Sequence, residues 1–199
     1  DQSVMTLRGD SNERLTILSD AEKTALYGIP SFDDFQRIEF FAMTEAERSL
    51  ALQRRGILKQ VYCMLQIGYF KAKQAFFQFS LDDVPPEDVT FLMQRYFPGE
   101  TLVVKPMSTK EYYAQRQEIS ALFEYRLWTA NDLPVLRDKA KLLVRTDVTA
   151  TFLLAELMVF LMAQRIVRPG YSTLQTIIRD ALSAERDRLA KLVEAAITD

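Results

Sequence analysis

Apolar positions in this chain recur every three or four residues, and residues that start and stop helices interrupt them at intervals. The pattern predicts a succession of helices and no strand. Ser19 and Glu22 form a capping box for a first helix that stops at Gly28 and Pro30. Phe32, Phe35, Ile38 and Phe41 then recur at about every third residue, a stripe predicted to face the core. Thr44 and Glu47 cap a third helix, closed by Gln53-Arg54-Arg55-Gly56, and 57–69 continues as a fourth with Val61, Met64, Leu65 and Ile67 as its core positions. Pro85-Pro86 opens another helix, with Glu87 and Asp88 in the first turn where the dipole favours acids, and Pro98-Gly99 ends it. Ser108 and Glu111 cap the helix to about Leu122, 131–145 is amphipathic, and 184–197 closes the chain with Leu189, Leu192, Val193 and Ala196 as its stripe.

The stretch 152–182 stands apart. From 152 to 163 only Glu156 is polar, which predicts a helix buried on all sides, too short to span a bilayer. Pro169-Gly170 breaks the chain, and Ser172 with Gln175 is read as the cap of a new helix. Leu174, Ile177, Ile178 and Leu182 share one face of that helix, turning Thr173, Thr176, Arg179 and Asp180 outward. A helix-turn-helix presents its recognition helix to DNA in this way, and an ordinary antiparallel helix pair is the alternative.

The expected architecture is all-α: a multi-helix bundle in two packed subdomains, the second with a helix-turn-helix-like pair at 151–182. The first subdomain is expected at 15–100 and the second at 108–199. Between them 101–107, ending in Val103-Val104-Lys105-Pro106-Met107, reads as a linker, and the polar stretch 1–14 as a disordered tail without a secretory segment. A single cysteine, Cys63, permits no intrachain disulfide and points to a reducing, cytoplasmic setting. The absence of histidine removes Ser-His-Asp and Cys-His catalysis, and no glycine-rich phosphate loop is present, so the sequence reads as a binder and not an enzyme. Net charge is −2, so a nucleic-acid face must come from local asymmetry. Residues 137–191 hold ten Lys/Arg against six Asp/Glu, a local +4.

Candidate contacts follow from those patterns. Arg54, Arg55, Lys71 and Lys73 flank one helix and suit phosphate anchoring, although cations at a helix carboxyl end also offset its dipole. Arg165 and Arg168, before the turn, are expected as further phosphate anchors, and Thr173, Thr176 and Arg179 as base readers. The helix bearing Tyr112 and Arg116 is the alternative reader. A basic and aromatic cluster, Lys71 and Lys73 followed by Phe76, Phe77 and Phe79, has the composition of a nucleic-acid contact, or of a short segment returning to the core.

Arg165-Ile166-Val167-Arg168-Pro169-Gly170-Tyr171-Ser172-Thr173-Leu174 resembles the R-x-x-x-P-G-Y-S-T-L signature of replicative transposases of the Tn-three family. Leu18-Ser19-Asp20-Ala21-Glu22, Gln53-Arg54-Arg55-Gly56, Val84-Pro85-Pro86 and Arg116-Gln117-Glu118-Ile119 with Tyr125-Arg126 resemble that family's amino-terminal pattern in the same order. The family carries a longer arginine run where Gln53 stands, and Pro-Phe where this chain has Leu127-Trp128. The resemblance implies the all-helical region that binds double-stranded DNA at transposon terminal inverted repeats, with Tyr171 and Arg126 among the contacts. It implies a bacterial, nucleoid-associated protein that self-associates through its parent transposase and has no membrane partner. Strand transfer in that family belongs to a separate ribonuclease-H-like domain with a magnesium-binding acidic site, so no cofactor and no catalytic residue is expected within these residues. A helical assembly module of the same transposase is the second reading.

Overall fold

A computed structural model describes residues 16–198. The expected disordered tail at 1–14 lies outside them. Among the described residues the regular structure is helical: α1 (Asp20–Tyr27), α2 (Asp34–Phe40), α3 (Glu45–Leu52), α4 (Ile57–Lys73), α5 (Pro86–Tyr96), α6 (Thr109–Leu122), α7 (Leu133–Leu143), α8 (Ala150–Ala163) and α9 (Tyr171–Thr198). The fold is all-α. Ser19, Asp33 and Thr44 close full capping boxes with Glu22, Gln36 and Glu47, and Ser108 caps Glu111 N–H at 3.2 Å.

Two apolar clusters form the interior. The first is built on α4, where every residue from 61 to 70 is buried, and it takes in residues from Phe32 to Ile119. A helix can be buried on all sides only if its polar groups find partners. Tyr69 donates to Asp88 at 2.7 Å, the Gln66 amide donates to the Phe77 carbonyl, and Tyr62 accepts from Phe79 N–H. Gly68 permits one close approach: a methyl group there would overlap the ring of buried Phe41. The second cluster packs α7, α8 and α9 against one another through Leu136, Ala140, Leu153, Leu157, Leu174, Ile177 and Ile178, and Ile17 and Leu18 join it from ahead of α1.

Segment 100–108, which contains the expected linker 101–107, carries no helix. The apolar clustering changes further on: Tyr112 and Ile119 of α6 lie in the first cluster and Leu136 of α7 in the second. One isolated parallel bridge crosses the junction. Arg126 N–H donates to the Arg165 carbonyl at 3.0 Å and Val167 N–H to the Arg126 carbonyl at 2.9 Å. Successive side chains on an extended strand point to opposite sides, so Ile166 enters the second cluster and Val167 the first.

Several expectations give way to the structure. In the 32–41 stripe Phe32 and Phe41 are buried, yet Phe35 is 85% exposed and Ile38 57% exposed. A three-residue spacing turns about 60° per step around a 3.6-residue helix, which carries Phe35 and Ile38 away from the face that holds Phe41. Helix α8 is not buried on all sides: Leu153, Leu154, Leu157 and Leu161 are buried, while Ala155, Val159 and Met162 form an exposed apolar row. The expected helices 172–182 and 184–197 are one continuous helix, α9, because nothing from Tyr171 to Thr198 is Gly or Pro.

Candidate nucleic-acid interface

Helix α9 is fixed by its apolar side. Leu174, Ile177, Ile178 and Ala181 are buried against α7 and α8, which leaves Ser172, Thr176, Arg179, Ser183 and Arg186 exposed at spacings of three and four residues along the opposite face. Thr173 is half-buried, whereas Thr176 is exposed. The helix begins at Tyr171, two residues earlier than the Ser172 cap predicts. Gly170 carbonyl accepts from Thr173 N–H at 3.1 Å and Leu174 N–H at 3.4 Å, so Gly170 takes the cap position and Ser172 sits in the first turn. Arg179 is 53% exposed at its side chain, and its guanidinium is 3.1 Å from the neighbouring Asp180 carboxylate. That exposed pair is weak and free to exchange for an outside acceptor.

Helix α7 lies beside α9 and adds charge. Arg137, Lys141 and Arg145 are exposed at intervals of four, while Leu136, Ala140 and Val144 of the same segment are buried. Arg145 also helps, after the Arg188 pair, to hold the Glu185 carboxyl below its usual range. The sequence pattern alone nominated none of the α7 cations as contacts and stopped the α9 face at Arg179. The signal that extends it to Ser183 and Arg186 is the lack of any helix breaker after Gly170.

The transposase-like signature performs structural work just before α9. Tyr171 hydroxyl accepts from Ile17 N–H at 3.3 Å and Leu18 N–H at 3.2 Å, its ring meets Tyr27 edge-on at 5.9 Å, and Lys23 lies over it. Tyr27 donates to the Pro169 carbonyl at 3.3 Å. Arg168 is half-buried, 4.8 Å from the Tyr27 ring centroid, and donates to the Leu26 carbonyl. Lys73 donates to the Ala25 carbonyl, so two cations from distant parts of the chain cap the carboxyl end of α1, which has no base in its own last turn. Burial lowers the Lys73 pKa, and the Arg168 charge lowers it further. Neither cation is presented to an outside phosphate as the sequence suggests.

The other nominated residues divide by exposure. Arg54 is 9% exposed at its side chain, paired with Glu118 at 2.5 Å and with Glu111 at 3.6 Å, which ties α3 to α6. Arg55, next to it, is exposed and has no acidic partner among the described residues. Lys71 is 2.8 Å from Glu47 and donates to the Ala42 carbonyl. Arg126 holds Asp132 through two hydrogen bonds of 2.9 and 2.5 Å. Tyr112 is buried, and burial raises its phenol pKa. Arg116 lies among the rings of Tyr112, Tyr113 and Phe76, and Arg165 is exposed over Tyr125. Cys63 is buried and its thiol is pushed up to about 11 by burial, so no thiolate nucleophile exists near neutral pH.

Among the described residues no helix is long and apolar enough to cross a membrane, and no group of three or more His, Cys, Asp or Glu is placed to hold a metal ion. The comparison with curated proteins gives no match. Over residues 17–181, from the buried Ile17 to the buried Ala181, the chain matches the family described as Domain of unknown function (DUF4158), and it belongs to that family.

Proposed function

We propose that this region binds double-stranded DNA as part of a transposase, reading the terminal inverted repeats of a replicative transposon with α9. The observation that carries the reading is the exposed face of α9, with Thr176, Arg179 and Arg186 on a helix whose other side is locked into an apolar cluster. The major groove of B-DNA admits one helix, and an arginine there donates two hydrogen bonds to guanine. In this reading Arg179 exchanges Asp180 for a base edge, and Arg137, Lys141, Arg145 and Arg55 supply phosphate contacts. The family is often found in transposases, and the Pro169-Gly170-Tyr171-Ser172-Thr173-Leu174 run resembles the Tn-three signature. The region binds and does not cut; strand transfer and its magnesium belong to a separate domain. Titrating inverted-repeat and scrambled duplexes at several salt concentrations tests this, since phosphate contacts produce a steep loss with salt. Equal affinity for both duplexes, or nicking with magnesium or manganese, contradicts it.

A second reading, a helical assembly module, has one observation in its favour. Leu189, Leu192, Val193 and Ile197 are 46–78% exposed along the far half of α9. Self-association through that row is insensitive to salt and appears in sedimentation without DNA, which separates the two readings.

A further inference from the structure

We infer that a strip of aromatic rings and arginines running from α6 to the segment before α9 binds unpaired nucleotides of a single strand. It is assembled from three stretches far apart in sequence. Arg116 places its guanidinium carbon 5.4 Å from the Tyr113 ring centroid and 5.7 Å from that of Phe76. Phe76 stacks on Phe70 at 4.9 Å, Tyr125 meets Phe70 edge-on at 5.3 Å, and Arg165 lies 5.8 Å over Tyr125. The rings and cations therefore form one contiguous series, with Phe70 as its buried floor and Tyr113, 52% exposed, as its outer end.

Two features point to a ligand. Arg116 and Arg165 have no carboxylate partner among the described residues, and Arg165 donates only to the Phe123 carbonyl at 3.1 Å. Arg116 Nε is also buried without a hydrogen-bond partner, while the rest of the side chain is partly exposed. Glu111 and Glu118 on the same helix are already paired with Arg54, and Glu124 follows the helix. The exposed Tyr113 ring beside arginines without acids matches unpaired nucleotides, whose bases stack on rings while phosphates meet guanidinium groups. Duplex DNA fits less well, because its base faces are already covered by their neighbours. The strip lies on elements other than the exposed face of α9, so the two binding modes can be tested separately.

The experiment measures fluorescence anisotropy of labelled oligothymidine, about twelve nucleotides long to fill one binding site, and of a duplex of equal length, with the full chain. Oligothymidine binds, and Tyr113→Ala, Arg116→Ala and Arg165→Ala each weaken it about tenfold while duplex affinity changes little. Arg116→Lys keeps the charge, loses the planar stack, and weakens single-strand binding as Arg116→Ala does. An oligouridine arm tells the source of the strand: tighter binding than oligothymidine assigns RNA, and any other result DNA. Circular dichroism checks folding, and the exposed Tyr113 and Arg165 decide the matter if Arg116→Ala unfolds. No binding of oligothymidine at low salt overturns the inference. So does binding that the folded variants leave unchanged, or a parallel loss on duplex and single strand. Failure here leaves duplex reading by α9 standing, because Arg179→Ala probes that mode alone.

Discussion

Asp88 is fully buried at the amino-terminal turn of α5, where it accepts from Arg37 Nε at 3.0 Å and from the Tyr69 hydroxyl at 2.7 Å. Burial and the bond to Asp88 push the Tyr69 phenol well up, so it stays a donor across the working pH range. Removing one partner strands a buried charge, and Arg37→Ala is expected to destabilise the fold by about 3–5 kcal/mol in urea unfolding. A loss below about 1 kcal/mol, the range of surface pairs, means that water reaches Asp88. Asp132 behaves differently because its partner, Arg126, is exposed to solvent. The hydrogen bonds from Arg126, helped by Thr129 N–H, lower its carboxyl from 3.8 to about 2. A folded-state pKa below the unfolded one means that its stabilisation is complete above pH 3.8 and is lost as pH falls through about 2. Asp132→Asn should therefore reduce the slope of stability against pH in that window alone, and an unchanged slope rules out the Arg126 pair as its cause.

At the scale of elements, hydrophobicity identified helices well and their surroundings less well. Helix α8 is the more apolar in sequence but exposes Val159 and Met162, whereas α4 carries Tyr62, Gln66 and Tyr69 and is the one wholly enclosed between 61 and 70. What decides burial is whether neighbours arrive on every side and satisfy those polar groups, and the partners Phe77, Phe79 and Asp88 are tertiary. The capping boxes at Ser19 and Thr44 were legible because both halves of each are local. The α9 face was legible to Arg179 from its period, and it continues because no residue breaks the helix. Beyond Glu185, however, residues 186–198 are exposed throughout. A helical segment of that length without tertiary contact is marginal in water. Hydrogen exchange should show protected amides at 174–185 and nearly unprotected ones toward 198. Uniform protection of the whole helix means instead that another surface covers Leu189 and Leu192.

For the molecule as a whole, the segment that looks most like a recognition motif also holds the architecture together. Arg165, Ile166 and Val167 bridge the two apolar clusters, while Arg168 and Tyr171 fasten 16–28 to the start of α9. Sequence could nominate Arg168, Tyr171 and Lys73 as cations and rings near DNA, but not foresee that carbonyls of α1 and amides of 17–18 occupy them. Exposed positions open to an outside partner include Thr176, Arg186 and the weakly paired Arg179 on α9, Arg137 and Lys141 on α7, and Arg145 just beyond its end. If α9 reads DNA, removing the Arg179 guanidinium should cost about 1–3 kcal/mol of discrimination between cognate and scrambled sequence and little general affinity. The most direct measurement compares folded Arg179→Ala protein with the unaltered chain on an inverted-repeat end and its scrambled form, across a salt series. The account predicts that the variant binds the scrambled duplex as before and loses most of its preference for the inverted repeat; a full preference retained by the folded variant contradicts it.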